Sequence, residues 1–263
     1  MKKNGLFLFA DYYDSTTTIV RVLSATKDIF DNIDIVYWSR LGKPRKPKDA
    51  LYDEINFVSF DKTSPPRSFA VLLLFLNFQL FLLKYLLSRK PKFVVAFTFY
   101  TIFPALVYKY LFFNWRCKVI YDPRDYAADS YSLNKVIGFI LRFIDNVFIK
   151  LSNFVIFPDN QYFIYYGMFN LKKEKYLILP NSTGDLFKEV LKNDVFKKYN
   201  IPKDKFIIPV LGYFSETRGE KVLFELIKRK DPRLIFIFAG DIREESYLKF
   251  FENNDNVLYL KKI

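Results

Sequence analysis

Charged side chains directly follow an apolar run near the middle of the chain. The run Lys118–Tyr121 leads into Asp122, and Arg124 and Asp125 come almost immediately after it. Two carboxylates that flank an arginine can orient the hydroxyl groups of a ligand or accept a proton. The same residues can instead form an ion pair that closes a turn. Because ligands bind at the carboxyl ends of strands in open α/β sheets, we expect Asp122, Arg124 and Asp125 to be catalytic.

A second group of residues has the order expected for phosphate binding. Gly212 follows an apolar run, and Arg218 and Gly219 come just before a helical segment that starts at Glu220. The first turn of a helix favours phosphate through its exposed N–H groups and its dipole, and an arginine there can hold a diphosphate bidentately. The spacing matches neither a Walker loop nor G-x-G-x-x-G. The alternative interpretation is an exposed arginine on a loop.

Two weaker turn signals follow other apolar runs. Asn181 and Ser182 follow the run Tyr176–Leu179, and Gly240 and Asp241 end a run later in the chain. Each is an ordinary turn by itself.

The elements that must position these residues are short strands alternating with helices. Continuous apolar strands separated by helices predict an α/β protein with a parallel sheet covered on both faces. The runs are Leu6–Ala10, Ile33–Trp38, Phe57–Phe60, Phe93–Phe97, Lys118–Tyr121, Phe154–Phe157, Tyr176–Leu179, Phe206–Leu211, Leu234–Ala239 and Val257–Leu260. Helices are predicted between them, one over Thr17–Phe30.

Residues Ser132–Ser152 form an amphipathic pattern with a helical period. One stripe is apolar, and we expect it to face the core. Its members are Val136, Ile140, Phe143, Val147 and Leu151.

The segment Phe69–Leu87 is apolar over nearly the length that spans a bilayer. It contains Asn77, Gln79 and Lys84, which are costly at bilayer depth. Three interpretations stay open: a helix that lies on a membrane or covers the sheet, a buried core helix, and a transmembrane span. The basic stretches 40–48 and 89–92 favour a membrane surface, although such runs are also common in solvated loops.

The composition indicates which partners are favoured and excludes several kinds of catalytic and metal site. The 263 residues carry a formal charge of +13, which favours anionic partners: nucleic acid, acidic lipid or phosphate-bearing substrates. There is no histidine, so histidine acid–base chemistry and histidine metal sites are excluded. The single cysteine, Cys117, excludes an intrachain disulfide.

The pattern of elements predicts two domains. We expect a first domain over 1–180, a connector rich in Asn, Lys and Asp over 181–204, and the start of a second domain over 205–263. Three strands are few for a nucleotide-binding half, so we also expect the second domain to be incomplete at its C-terminus.

Taken in order, these segments resemble the family 4 glycosyltransferases. Those enzymes have the GT-B fold, in which two Rossmann-like domains face a cleft. The matches are the turn Pro180-Asn181-Ser182 with Phe187, then Gly212 with Arg218-Gly219, then Gly240-Asp241, the strand Asn256–Leu260, and the helix and strand Phe143–Asp159. Their order and spacing carry the resemblance.

The sequence departs from the family pattern at several places. Arg218 replaces a lysine, and Arg124-Asp125 lie near the position where many members carry a histidine. Residues 14–18 stand where the family has a glycine-rich turn, and Tyr213 replaces an arginine that follows the second-domain glycine. The family's glutamate-bearing segment would lie beyond Ile263.

The resemblance implies hexosyl transfer from a UDP- or GDP-linked sugar to a glycan or lipid-linked acceptor, with retention of configuration and without a metal or other cofactor. It implies a role in polysaccharide synthesis, in the cytoplasm or on the inner face of the membrane. The donor-binding residues would be Gly212, Arg218, Gly219, Gly240 and Asp241. Asn181 and Ser182 would lie in the connector at the cleft.

Two alternatives remain beside the glycosyltransferase. One is a basic protein that binds nucleic acid or an acidic membrane through charge. The regular alternation of strands and helices argues against this alternative. The other is a different nucleotide-binding α/β enzyme such as an epimerase. The absence of a G-x-G-x-x-G motif from the sequence argues against it.

Overall fold

The chain divides into two compact units, Met1–Phe187 and Lys188–Ile263, in the computed structural model. The structure describes residues 4–10, 26, 29–39, 55–63, 70–124, 134–167, 171–180, 197, 199–212, 219–240 and 245–260. Both units combine parallel strands with helices, which confirms the predicted α/β class.

The first unit contains a seven-stranded parallel sheet in the order β3-β2-β1-β4-β5-β6-β7. The strands are β1 (Asn4–Phe9), β2 (Asn32–Trp38), β3 (Ile55–Phe60), β4 (Phe93–Phe97), β5 (Lys118–Asp122), β6 (Phe154–Phe157) and β7 (Tyr176–Ile178). The helices are α1 (Ala70–Arg89), α2 (Phe99–Tyr110), α3 (Lys135–Leu151) and α4 (Gln161–Tyr166), with a 3₁₀ turn at Lys173–Lys175. The strand order changes direction between β1 and β4, which makes this the switch point of the sheet.

The sheet has an apolar core on each face, because successive side chains of a strand point to opposite sides. Leu6 and Leu8 of β1 belong to one cluster, together with buried residues of α1, α2 and α3. Phe7 and Phe9 belong to the other cluster. Burial on both faces explains why the strands are continuous apolar runs in the sequence.

Helix α1 covers one face of the sheet. Phe78, Leu82 and Leu86 are fully buried in the cluster on that face. The amide of Gln79 donates a hydrogen bond of 2.9 Å to the Tyr100 carbonyl, so α1 is also fixed to α2. Of the helices in the described ranges, α1 is the one long and apolar enough to cross a membrane, with a mean hydropathy of 2.0. Its buried side supports the interpretation of a helix that covers the sheet.

Helix α3 contradicts the prediction that its apolar stripe faces the core. Val136 is 65% exposed and Phe143 is 62% exposed, and Ile140 and Leu151 are exposed as well. The buried residues of α3 are instead Asp145 and Ile149. The Tyr121 hydroxyl of β5 donates a buried hydrogen bond of 2.6 Å to Asp145, so the carboxylate side of the helix turns toward the sheet.

The second unit contains three parallel strands within the described residues, in the order β10-β9-β8. They are β8 (Phe206–Leu211), β9 (Leu234–Ala239) and β10 (Val257–Leu260), with the helices α5 (Glu220–Lys228) and α6 (Glu245–Glu252). Phe236, Phe238 and Phe251 form a separate buried core.

Several predicted segments lie largely outside the described residues. They are most of the expected helix over Thr17–Phe30, most of the expected connector over 181–204, and the basic stretch 40–48.

Candidate active site

Asp122 ends β5 at the carboxyl edge of the first sheet, next to the switch point. Its Cα partner on β4 is Phe97, and its carbonyl accepts a hydrogen bond of 2.8 Å from the Thr98 amide. The side chain is almost fully buried. A carboxylate in this position lies at the sheet edge where open α/β sheets bind ligands.

Arg124 lies across the ends of β1 and β4. Its guanidinium carbon is 4.5 Å from the centre of the Phe97 ring and 5.9 Å from that of Phe9. These two rings stack on each other with their centres 4.2 Å apart. A cation over aromatic faces is attracted by the ring quadrupole, so the rings form a platform for the guanidinium.

Arg124 and Asp122 form an ion pair at this edge of the sheet. Nε of Arg124 lies 3.8 Å from an oxygen of Asp122, and the two side chains are 16% and 5% exposed. Burial strengthens the attraction, because little water screens it. The structure brings the two residues together in the ion pair that the alternative interpretation of this turn predicts.

The backbone at this edge is held in an uncommon conformation. Thr98 has φ of 69° and Arg124 has φ of 55°. Positive φ costs a β-branched residue such as threonine about 1–3 kcal/mol, and such strain concentrates at functional sites. The Tyr162 hydroxyl of α4 donates a hydrogen bond to the Arg124 carbonyl and supports the turn.

Four residues of this edge did not appear among the sequence-predicted candidates. Phe9 and Phe97 end their strands and Thr98 follows β4, so examining the carboxyl end of every strand would have found them. Tyr162 carries no signal in the sequence, because its contact with Arg124 joins residues 38 positions apart.

The second unit places two predicted glycines side by side. Gly212 follows β8 and Gly240 follows β9, and the Gly212 amide donates a hydrogen bond of 2.9 Å to the Ala239 carbonyl. A Cβ built on Gly240 would lie 2.0 Å from the Gly212 carbonyl oxygen. The glycine is therefore required for the close approach of the two backbones.

Gly219 caps helix α5 at the same edge of the second sheet. It has φ of 79° and precedes the first helical residue, Glu220. A helix that connects two parallel strands begins at their carboxyl edge, so the N–H groups in the first turn of α5 point toward that edge. A glycine-lined edge beside a helix N-terminus is an arrangement that binds phosphate.

The other predicted site residues lie outside the described ranges. These are Asp125, Asn181, Ser182, Arg218 and Asp241. Among the side chains that the structure describes, no cluster of three or more Asp, Glu or Cys forms a candidate metal site.

No protein-family model matches the sequence, and no curated protein matches it. Solved structures match over nearly the whole chain. UDP-GlcNAc 2-epimerase from Neisseria meningitidis, bound to UDP-GlcNAc, has a TM-score of 0.62 at 15% identity, covering 99% of this chain and 72% of that chain. Sucrose-phosphate synthase from Thermosynechococcus elongatus has a TM-score of 0.64 at 12% identity, and the match covers 100% of this chain and 71% of the synthase. The apo form of the lipopolysaccharide outer core galactosyltransferase WaaB has a TM-score of 0.61 at 10% identity, and the match covers 99% of this chain and 68% of WaaB.

These structures are enzymes of the GT-B fold, and they include both glycosyltransferases and epimerases. The predicted fold is confirmed. Identities this low establish the fold and not a family. The chain has the GT-B fold, with a Rossmann-like unit of seven parallel strands followed by a second Rossmann-like unit in which three strands are described.

Proposed function

We propose that the chain is a glycosyltransferase that moves a hexosyl group from a UDP- or GDP-linked donor to a glycan or lipid-linked acceptor. The observation that carries the proposal is the pair Gly212 and Gly240 beside the start of α5, in a chain of the GT-B fold. The Neisseria epimerase of the same fold binds UDP-GlcNAc, which supports a nucleotide-linked sugar as the ligand class.

The donor diphosphate is assigned to the second unit. The N–H groups at the start of α5 and the guanidinium of Arg218 are assigned to stabilise its charge. Gly212 and Gly219 leave room for its oxygens, and Gly240 lets the ends of β8 and β9 approach each other closely. Asp241 follows Gly240 and is assigned to donor binding as well. Transfer breaks the bond between the anomeric carbon and the phosphate oxygen. The electron pair leaves with the nucleoside diphosphate, whose added charge these groups stabilise.

The acceptor is assigned to the carboxyl edge of the first unit, with Asn181 and Ser182 in the connector. Asp122 is buried and paired with Arg124, so we give it the role of positioning the guanidinium. Arg124 orients the acceptor through the N–H groups of its guanidinium. The acceptor oxygen forms the new bond to the anomeric carbon, and its proton passes to Asp125. The product keeps the donor's anomeric configuration, and no metal or other cofactor takes part.

Nucleotide binding tests the donor assignment. We expect calorimetric titration of the chain with UDP and GDP to detect binding of one of them, and Arg218→Ala to weaken it at least tenfold. Loss of a charge-assisted bidentate contact costs about 1.5–3 kcal/mol. Lys228→Ala is the matched control, because Lys228 is an exposed basic residue at the other end of α5 that pairs with Glu225.

Two results would contradict the donor assignment. One is the absence of binding for both nucleotides, and the other is an equal loss in Arg218→Ala and Lys228→Ala.

An epimerase is the second candidate, because UDP-GlcNAc 2-epimerases share the fold over nearly the whole chain. NMR of UDP-GlcNAc incubated with the chain alone separates the two functions. An epimerase converts the sugar without an acceptor and produces new anomeric signals. A transferase leaves these signals unchanged and releases UDP only when an acceptor is added.

The cell compartment follows from the proposed substrates. We propose that the chain acts in the cytoplasm, on the inner face of the membrane if the acceptor is lipid-linked. No binding of nucleic acid is proposed.

A further inference from the structure

Large apolar side chains are exposed on the outer side of the layer formed by α1, α2 and α3. Phe139 is 71% exposed, and the other members are about half exposed or more. We call this surface the outer apolar face, and it consists of Leu72, Leu76, Phe103, Phe139, Ile140 and Phe143. Monomeric soluble proteins rarely expose contiguous apolar surface on this scale, and such surface marks an interaction site.

The outer apolar face lies at one end of the helix layer. The rings of Phe75 in α1 and Tyr100 in the first turn of α2 pack edge to face with centres 5.9 Å apart, so the first half of α1 lies beside the start of α2. Phe148, near the end of α3, packs against Phe99 and Phe103 in the first turns of α2.

It follows that most of α3 extends past the start of α2. Phe148 lies thirteen positions after Lys135, and a helix rises about 1.5 Å per residue, so this part is roughly 20 Å long. Helix α2 begins at the carboxyl edge of the sheet, directly after β4. Phe139 and Phe143 therefore lie beyond the edge that holds Asp122 and Arg124.

The helices that form the face expose basic side chains and no carboxylate among the described residues. Residues 70–118 contain no Asp or Glu, and most of their basic residues lie at the opposite end of the layer from the face. In α3 the one carboxylate, Asp145, is buried, whereas Lys135 and Arg142 are exposed about one turn before and one turn after Phe139. Exposed apolar and aromatic residues bordered by basic ones fit the headgroup and acyl boundary of an anionic bilayer.

We propose that the outer apolar face docks on an anionic phospholipid bilayer, so that the carboxyl edge with Asp122 and Arg124 opens beside the membrane. The proposal rests on the proposed function and narrows it, because an acceptor at such an opening is a sugar carried on a membrane-embedded lipid. Docking keeps α1 on the sheet. A span by α1 would expose Phe78, Leu82 and Leu86, which are fully buried in the core.

Sedimentation of the 263-residue chain with lipid vesicles tests the docking. We expect the chain to sediment with vesicles of phosphatidylcholine and phosphatidylglycerol, less with phosphatidylcholine alone, and less as salt rises. The double variant Phe139→Ser/Phe143→Ser should partition about tenfold more weakly or worse, because two large apolar side chains no longer enter the bilayer. Both residues are exposed, so circular dichroism should show an unchanged fold.

Val222→Ser is the matched control. Val222 is 66% exposed on α5 in the second unit and lies outside the face, so this variant should sediment as the unchanged chain does. Equal vesicle binding by the double variant and the unchanged chain would overturn the proposal, and so would the absence of vesicle binding.

Two other occupants of the face have their own signatures. A second copy of the chain would give a dimer in sedimentation equilibrium that the double variant abolishes, without vesicle binding. Packing of the second unit on the face would make the double variant less stable to urea, again without vesicle binding. Each result overturns the docking. UDP or GDP titration needs no vesicles, so retained nucleotide binding without vesicle binding would contradict the docking and leave the proposed function standing.

Discussion

At the scale of single residues, Arg124 shows how neighbours change what a side chain can do. Asp122 offsets part of its charge, and the rings of Phe9 and Phe97 fix the plane of its guanidinium. A lysine at this position would keep the charge but lose the planar contact with the rings. The guanidinium is therefore placed for oriented hydrogen bonding at the switch point rather than for long-range attraction.

Cys117 provides a residue-scale prediction, because burial raises the pKa of its thiol to about 12. Thiolate is the reactive form, so we expect Cys117 to react with a disulfide reagent at pH 8 only when urea unfolds the first unit. Absorbance of the released reagent measures this, and Cys117 is the one cysteine of the chain. Rapid reaction in the folded state would contradict the prediction.

The same pKa shift predicts loss of stability in alkali. Below pH 9 the Cys117 thiol is protonated in both the folded and the unfolded chain, and its contribution to stability is fully present. Between pH 9 and 12 the unfolded chain, with a thiol pKa near 9.0, loses its proton while the folded chain keeps it, so stability falls as pH rises. Burial also raises the pKa of Tyr108 to about 12, which acts in the same direction. The urea midpoint should therefore depend less on pH in Cys117→Ala.

At the scale of elements, a polar contact decides which side of α3 faces the sheet. The hydrogen bond from Tyr121 to Asp145 is buried, and Ile149 packs one turn further along on the same side. A buried carboxylate must keep its hydrogen bonds, because desolvation of an unsatisfied charge is costly. This requirement leaves the wider apolar stripe of α3 on the outside.

Tyr121→Phe tests the role of this hydrogen bond. We expect the variant to lower the free energy of unfolding by about 1.5–3 kcal/mol, because a buried carboxylate loses a donor. Tyr110→Phe is the control: its hydroxyl also bonds across helices, to the Leu151 carbonyl, but at an exposed position, so its loss should cost about 0.5–1 kcal/mol. Urea unfolding followed by tryptophan fluorescence measures both, since Trp38 and Trp115 both lie in the first unit. Equal losses in the two variants would contradict the prediction.

At the scale of the whole molecule, each unit has an apolar core of its own. The cores of the first unit cover both faces of a seven-stranded sheet, whereas that of the second unit gathers around Phe236, Phe238 and Phe251. Among the described residues, the ring of Phe251 contacts those of Phe238, Phe224, Phe250 and Tyr259, which belong to the second unit. A change at Phe251 should therefore act on that unit first.

Phe251→Ala should unfold the second unit at lower urea while the first unit stays folded. Truncation of a buried phenylalanine costs about 3–5 kcal/mol, a large share of the stability of a domain this small. Far-UV circular dichroism should show an early transition that tryptophan fluorescence does not follow. Phe206→Ala, at a position 67% exposed, should leave the curves unchanged. A fluorescence midpoint that shifts together with the dichroism would contradict the prediction.

The sequence by itself determined the class of fold and most of its elements. The strands Phe93–Phe97, Phe154–Phe157, Phe206–Leu211, Leu234–Ala239 and Val257–Leu260 have the predicted bounds. The reason is physical: a parallel strand buried on both faces must be apolar at every position, and such runs are visible in a single sequence. The pairing of Asp122 with Arg124 was also predictable, because the two residues are two positions apart at the end of one strand.

The tertiary structure alone decided contacts between residues far apart in the chain. The order of strands places Phe9 beside Phe97, and a hydrogen bond between residues 24 positions apart sets the side of α3 that faces the sheet. A helical period in the sequence shows that a stripe is apolar, but not whether another element lies against it. Burial depends on what packs on each face, and that is fixed when the whole chain has folded.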